Sequence, residues 1–336
     1  MTRIFTDGAE MGDILFFDLS ASVYATTNSP VPQYSTWCYG SSNNSTGRKF
    51  FTALDELYFR GRFRLNSGNS SYTRMPSFYS DNTEIDWVGV DNANHISANS
   101  SAGLLLASTD TPLSNGRWYL IECYLKIGDN PNGRFVIYVD GTKHVDFTGD
   151  TKPGANATVN NIHIGNAGWN DIAYDDLALN NTSGLMDNSW CGDGIVVKIT
   201  PSGSGTVNNW SNSGSVSGSA NYLYVDEYPS DTTTYTYCSA SSTGVKDKYA
   251  MSNLGGGIGS ITRIFSEARI KKEVADSTTI KLGYLPNGGT DTMSGSVALY
   301  TTYAQAIGTS ASANPVTGLA WTVADVNALE YVIEMS

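Results

Sequence analysis

Two carboxylates on one predicted strand are the strongest candidates for chemistry in this sequence. Glu84 and Asp86 are separated by one residue in the segment Glu-Ile-Asp-Trp-Val-Gly. Side chains two residues apart on a regular strand point to the same face, so this spacing predicts that the two carboxylates share a face. A retaining glycosidase uses two carboxyl groups about 5 Å apart as acid/base and nucleophile. Glycoside hydrolysis is therefore one candidate activity.

The segment lacks a third carboxylate. It resembles the Glu-x-Asp-x-x-Glu signature of laminarinase-like glycoside hydrolases, but Gly89 stands at the final position. Asp91 can take that role only if a β-bulge re-aims its side chain. The sequence therefore predicts a protein that is not an enzyme, in which Glu84 and Asp86 are solvated carboxylates at the end of a strand.

Hard oxygen ligands for a cation occur in two places. Asp129 lies in the loop at residues 128–133, and Asp175 and Asp176 are adjacent. Such oxygens suit Ca²⁺, although Asp, Asn and Gly are also the usual turn-forming residues. No spacing matches an EF-hand loop. The sequence predicts no cofactor, with Ca²⁺ at these three aspartates as the alternative.

Aromatic residues beside predicted turns are candidates for carbohydrate binding. They are Trp87, Trp169 and Tyr174. Aromatic side chains in such places can contact a ligand at low entropic cost. In a sandwich of short strands, however, most aromatic side chains fill the core. Both interpretations stay open at these positions.

Histidine and cysteine give no further site. The three histidines and four cysteines are far apart in the sequence, so a CxxC metal site is excluded. His163 lies between two isoleucines, and we expect it at an outward-facing strand position without a catalytic or ligand role.

Composition favours many short strands joined by polar turns. Only 15% of the 336 residues are charged, and 34 glycines accompany stretches of Ser, Thr and Asn. The net charge of −12 argues against nucleic acid as a partner. No apolar run has the length of a membrane span or of a signal peptide core, so we expect a soluble protein made in a cytosol.

Alternation of apolar and polar residues predicts the strands that hold these candidates. The clearest pattern covers residues 117–127, followed by the turn Asn132-Gly133, a strand at 134–139 and the turn Asp140-Gly141. Further strands of the first half are predicted at 13–19, 57–65, 85–90, 143–147, 161–165 and 172–179.

The second half reads as a separate β-rich module. We place the boundary near residue 190, giving domains at 1–190 and 191–336. Residues 201–220 are predicted as a Gly/Ser-rich surface excursion pinned by Trp210. Thr322 is expected to cap a short helix. Strands are predicted at 195–199, 222–228, 233–239, 261–271, 277–285, 294–303 and 331–335.

Three segments of the first half resemble the concanavalin A-like, laminin-G-like jelly-roll superfamily. They are residues 117–119, 134–141 and 172–179, and the resemblance extends over about residues 1–190. It implies an all-β protein with an N-terminal jelly-roll sandwich, a second β-rich domain and one short helix near the C-terminus. The superfamily contains lectins, adhesion modules and glycosidases, so it does not by itself select a function.

The second half adds a resemblance to a group of tailed-bacteriophage structural proteins. The segments that carry it are residues 188–193, 201–203, 225–227, 231–235 and 320–327. This resemblance implies a non-catalytic virion protein that decorates the capsid or attaches to the tail and is exposed to host surfaces. It further implies other virion proteins as partners, a homo-oligomer with a trimer as the first symmetry to test, and no membrane insertion.

Two alternative functions remain at this point. A carbohydrate-binding lectin or adhesin would use Trp87, Trp169 and Tyr174 on a host-surface glycan, and it is compatible with a place in the virion. A glycoside hydrolase would use Glu84 and Asp86, and the missing third carboxylate argues against it.

Overall fold

The computed structural model describes residues 3–9, 16–26, 38–66, 73–101, 105–152, 154–165, 172–183, 188–214, 220–227 and 230–336. The chain forms two compact units, Met1–Val197 and Lys198–Ser336. The division falls a few residues beyond the predicted boundary near residue 190.

The first unit is built from antiparallel strands. In hydrogen-bonded order they run β11-β10-β9-β4-β13-β3-β12-β5-β6-β7-β8, with β1 beside β13 and β2 beside β3. In chain order these are β1 (Arg3–Asp7), β2 (Leu19–Thr26), β3 (Cys38–Leu54), β4 (Glu56–Leu65), β5 (Thr73–Ser80), β6 (Thr83–Val90), β7 (His95–Ser100), β8 (Leu105–Pro112), β9 (Trp118–Lys126), β10 (Gly133–Val139), β11 (Thr142–Gly149), β12 (Val159–Gly165) and β13 (Ile172–Asn181).

The long strand β3 joins two layers. We call β11, β10, β9, β4 and β13 the first layer, and β12, β5, β6, β7 and β8 the second layer. Its first part, around Tyr39, pairs with β13, and its last part pairs with β12. The sheet therefore folds onto itself, and aromatic rings from both layers meet in the middle. Phe78 of β5 lies 6.2 Å from Phe59 of β4 and 6.2 Å from Phe135 of β10, measured between ring centroids. This is the jelly-roll sandwich that the sequence predicts.

Local patterns account for the hairpins of the first layer. Tyr119 and Ile121 of β9 are buried in the core, while Glu122 lies on the outer face. Asp140 and Gly141 form the turn between β10 and β11 with φ values of 48° and 75°. Positive φ at both positions is what a tight hairpin turn requires. The predicted strands at 134–139 and 143–147 are confirmed.

The second unit is also β-rich. Its main sheet runs β14-β17-β23-β19-β20, with β21 beside β19, and β15–β16 and β18–β22 form separate pairs. The elements are β14 (Pro201–Asn208), β15 (Ser211–Asn212), a 3-10 helix (Asn221–Tyr224), β16 (Thr236–Tyr237), β17 (Lys246–Met251), β18 (Ile264–Ile270), β19 (Thr279–Leu285), β20 (Thr292–Met293), β21 (Val297–Ala298), β22 (Ala304–Ala311), α1 (Val323–Asn327) and β23 (Glu330–Met335).

Several predictions for the second half are wrong. The strands predicted at 233–239 and 294–303 are only two residues long, Thr236–Tyr237 and Val297–Ala298. The expected surface excursion begins with strand β14, and its glycines permit close pairing: a Cβ on Gly205 would lie 2.6 Å from the backbone of Lys248. The strand predicted at 222–228 begins as a 3-10 helix, which buries Tyr224. Residues 195–199 form no strand. Trp210, by contrast, is buried as expected.

The short helix α1 begins where the sequence predicts. Thr322 Oγ1 accepts a hydrogen bond from the Asp325 amide (3.1 Å), and an Asp325 carboxylate oxygen accepts one from the Thr322 amide (2.9 Å). This reciprocal arrangement satisfies two amides that the helix leaves without partners. No helix in the described part of the chain has the length and hydrophobicity of a membrane span.

We expect Thr322→Ala to lower the free energy of unfolding by about 1 kcal/mol, because it removes the side chain of this capping box. Urea denaturation measures the loss. Thr301→Ala, at an exposed position outside the helix, is the control and should leave the midpoint unchanged. Equal midpoints for the two variants would contradict the capping role.

Candidate functional site

The outer face of the second layer carries a continuous set of polar and aromatic side chains. Cross-strand pairs share a face, and the register places His163 beside Arg48 and Ser77, and Tyr79 beside Glu84 and Asn161. Together these side chains make up what we call the polar face: Arg48, Arg74, Ser77, Tyr79, Glu84, Trp87, Ser97, Asn99, Asn161 and His163.

Many side chains of the polar face are buried although they point away from the core. His163 is 6% exposed, Asn99 4% and Asn161 0%. Gly89 makes room for two of its members, since a Cβ there would lie 2.6 Å from Asn99 Nδ2 and 2.8 Å from Ser97 Oγ. Buried polar groups usually have hydrogen-bond partners, so each exception on this face is informative.

Two such exceptions lie next to each other in the register. His163 Nε2 and Asn161 Oδ1 are buried and have no hydrogen-bond partner among the described residues. The Asn161 Nδ2 donates to the Asp81 carbonyl (2.9 Å), which fixes the orientation of its amide. An unpaired buried polar atom costs about 1–3 kcal/mol. The polar face therefore carries two unsatisfied polar atoms beneath its surface.

A chain of contacts holds the aromatic members in place. The Tyr79 and His163 rings are stacked, with centroids 3.6 Å apart and planes 11° apart. The Tyr79 hydroxyl donates to Glu84 (3.1 Å), and Glu84 forms an ion pair with Arg74 (3.2 Å). The Arg74 guanidinium in turn lies 4.6 Å from the centre of the Trp87 ring. The polar face is therefore organised without a ligand.

Burial sets the protonation states on this face. It lowers the pKa of His163 to about 3, and the Arg48 charge acts in the same direction. Burial and the neighbouring Glu84 raise the pKa of Tyr79 to about 12. At neutral pH His163 is therefore uncharged and Tyr79 is protonated. Both can form hydrogen bonds with hydroxyl groups, but neither is poised for proton transfer near pH 7.

The prediction that Glu84 and Asp86 share a face is wrong, because a β-bulge lies between them. Asp86 pairs with Phe78 and Glu84 with Tyr79, so Ile85 is an extra residue between them. Phe78 belongs to the core, which places Asp86 on the core side and Glu84 on the polar face. Asp86 is fully buried, and burial raises its pKa well above the usual value. These two carboxylates cannot act on one glycosidic bond.

The three aspartates considered for Ca²⁺ are not brought together. Asp129 is exposed and forms an ion pair with Lys152 (3.1 Å). Asp175 and Asp176 are buried in β13, where the Asp176 carboxylate accepts the Val196 amide (2.7 Å). Among the described residues, no three His, Cys, Asp or Glu side chains are grouped so as to hold a metal ion.

The aromatic residues proposed for sugar stacking are not available as platforms. Tyr174 is completely buried, with its ring 5.6 Å from that of Tyr39 in the core. Trp87 lies on the polar face but is 7% exposed, and Arg74 covers its ring. Their positions beside turns did not predict exposure, because both lie inside long strands. Trp169 lies outside the described residues.

Sequence reasoning missed most of the polar face. Tyr79, Arg48 and Asn161 attracted no prediction, and His163 was expected to face outward without a role. The residues come from β3, β5, β6, β7 and β12, and their spacing along the chain carries no common pattern. The sequence singles out three of its members, Glu84 as a carboxylate, Trp87 as an aromatic beside a turn and His163 for its outward direction, but it does not indicate that they share a face.

Comparisons with known proteins give structural similarities at low identity. No protein-family model matches the chain, and no curated protein sequence matches it. An endo-β-1,4-glucuronan lyase from the fungus Trichoderma reesei is 14% identical over 54% of this chain and 96% of its own, with a TM-score of 0.43. An alginate lyase from Aplysia kurodai is 8% identical over 53% of this chain and 99% of its own, with a TM-score of 0.41.

A third similar structure is the carbohydrate-binding module CBM66 from Bacillus subtilis. It is 12% identical over 43% of this chain and 86% of its own, with a TM-score of 0.33. Similarities at this level leave the function of the chain to be argued from its own residues.

Proposed function

We propose that this chain is a non-catalytic carbohydrate-binding protein whose polar face contacts a glycan. The observation that carries the proposal is the linked set of partly exposed side chains on this face, Arg74, Glu84 and Tyr79, with the Tyr79 ring stacked on His163. A sugar offers hydroxyl groups that both donate and accept hydrogen bonds, so it can pair with the guanidinium, the carboxylate and the phenol of this set.

The surrounding charges support a binding role. Arg48 adjoins His163 in the register, and Arg74 is held between Glu84 and Trp87. Guanidinium groups provide several donors in a fixed geometry, which suits the oxygens of a glycan. Their positions are set before a ligand arrives, which reduces the ordering cost of binding.

Two features argue against catalysis on the polar face. Glu84 is engaged by both Tyr79 and Arg74, and Asp86 lies on the other side of the sheet. His163 and Tyr79 hold their protonation states through the neutral range, so neither is tuned as an acid or base there.

The sequence resemblance to tailed-phage structural proteins supplies the proposed setting, a virion assembled in the host cytoplasm. Within the described residues β14 has one strand partner, β17, so it forms an edge of its sheet. An exposed edge is commonly covered by another chain. A homo-oligomer is part of the proposal, and light scattering on the purified chain tests it. Co-sedimentation with phage particles tests the setting.

We expect His163→Ala to weaken glycan binding by about tenfold, because it removes the ring that positions Tyr79 on the polar face. A glycan array identifies a ligand for the wild-type chain, and titration calorimetry then measures the affinity of each variant. His144→Ala, on β11 of the other layer, is the matched control and should bind as the wild type does.

Circular dichroism establishes that both histidine variants are folded. The proposal fails if the wild-type chain binds no glycan on the array. It also fails if folded His163→Ala binds with unchanged affinity.

A further inference from the structure

We infer a second carbohydrate subsite in a cavity on the outer face of the first layer. The cavity has a volume of about 640 Å³, within the range of small-ligand sites. It belongs to the layer opposite the polar face and does not depend on the proposal for that face. Its lining residues are Arg62, Arg117, Trp118, Leu120, Glu122, Asp140, Gly141 and Asp193.

Strand β9 supplies the floor of this cavity. Trp118, Leu120 and Glu122 alternate with the core-facing Tyr119 and Ile121, so all three point outward. Leu120 is 5% exposed, so the partly exposed indole of Trp118 is the apolar group that the cavity offers to a ligand. An indole suits the C–H face of a sugar ring.

The β10–β11 turn forms one wall and is fixed to β9. One carboxylate oxygen of Asp140 accepts the Leu120 amide (2.9 Å), and the other accepts Arg117 (2.6 Å). Both hydrogen bonds orient the carboxylate along the cavity edge. Arg117 remains 62% exposed, so its guanidinium can also reach a ligand.

The segment after β13 forms the opposite wall. The Gly192 amide donates to the Glu122 carboxylate (2.9 Å), and the Gly192 carbonyl accepts a hydrogen bond from Arg60 (3.0 Å). Asp193, next in the chain, forms an ion pair with Arg62. The sequence predicts a domain boundary near residue 190, whereas in the structure residues 192–193 are attached to the first unit.

The charges of the lining select an uncharged ligand. Two guanidiniums face three carboxylates, so neither an anion nor a cation is favoured throughout the cavity. Guanidiniums only donate hydrogen bonds and ionised carboxylates only accept them. A ligand must therefore offer acceptors and donors side by side, together with an apolar face for Trp118. A neutral sugar ring meets all three requirements.

Titration calorimetry on the full chain carrying His163→Ala tests this subsite, since that background weakens binding at the polar face. The probes are maltotriose, cellotriose and triacetylchitotriose. We expect one of them to bind, and Trp118→Ala to weaken that binding by about tenfold or more. Arg117→Ala should weaken it severalfold.

Arg134→Ala is the matched control, because Arg134 is also an exposed arginine paired with an aspartate, Asp146. It should change the affinity less than twofold. Arg117→Ala removes only a surface side chain, so it keeps the test decisive if Trp118→Ala does not fold.

The inference is overturned if the His163→Ala chain binds none of the three probes. It is also overturned if Arg117→Ala and folded Trp118→Ala bind as the background does. Failure of the polar-face proposal gives a different result, namely equal affinities of the wild-type and His163→Ala chains for the array ligand.

Discussion

Asp247→Ala is expected to lower the free energy of unfolding of the second unit by about 4 kcal/mol. Asp247 is completely buried in β17. One carboxylate oxygen accepts the amides of Asn209 (2.6 Å) and Trp210 (2.8 Å). The other accepts Asn221 Nδ2 (2.6 Å) and the Tyr249 hydroxyl (2.9 Å).

This carboxylate connects three parts of the second unit. It holds the chain just after β14, the 3-10 helix that contains Asn221, and strand β17. Trp210, which it positions, packs in the core with Tyr249 and Leu282. Alanine would leave three buried donors and one partly buried donor without their acceptor, and each unsatisfied buried group costs about 1–3 kcal/mol before relaxation.

Urea denaturation of the full chain, monitored by tryptophan fluorescence, measures the loss of stability. Asp247→Asn keeps one acceptor oxygen and should lose about half as much stability. Glu273→Ala removes a carboxylate that is 81% exposed and is the control for loss of charge alone. A midpoint for Asp247→Ala equal to that of Glu273→Ala would show that the network does not stabilise the unit.

Asp86→Val is expected to stabilise the first unit by about 2 kcal/mol at pH 7. Neither carboxyl oxygen of Asp86 has a hydrogen-bond partner among the described residues. Burial raises its pKa well above the usual value, with smaller contributions from Asp150 and Glu84. Folding therefore requires a protonated carboxyl in an apolar place, and valine removes that requirement.

The raised pKa of Asp86 also predicts how stability depends on pH. Below about pH 4 the carboxyl is protonated in both the folded and the unfolded chain. Above that pH the unfolded chain releases the proton while the folded chain retains it. The contribution of Asp86 to stability therefore falls as pH rises, by up to about 1.4 kcal/mol per pH unit, until the folded pKa is reached.

Urea midpoints of wild-type chain, Asp86→Val and Asp86→Asn between pH 4 and 8 test both statements. Asparagine cannot ionise and has nearly the size of aspartate. It therefore removes the dependence of stability on pH at this position without adding an apolar side chain. The stability difference between each variant and the wild type should grow with pH. A difference that stays constant over this range would disprove a protonated Asp86.

The elements that follow from local sequence are those with a strong alternating pattern or a specific turn. β9, β10 and the Asp140-Gly141 turn are predicted because alternation and positive φ are properties of a few adjacent residues. The capping box at Thr322 is local for the same reason. By contrast, β3 and β14 are polar and glycine-containing, and they are strands because neighbouring strands pair with them.

The sequence by itself determined the all-β class and the strands of the first layer, since side-chain alternation and turn chemistry act over a few residues. Only the tertiary structure decided which side chains meet. The register between β5 and β6 shifts at Ile85 of β6, and that bulge separates Glu84 from Asp86. Pairing between distant strands likewise brings His163 to Tyr79. Register depends on the whole sheet, so spacing along one strand cannot specify it.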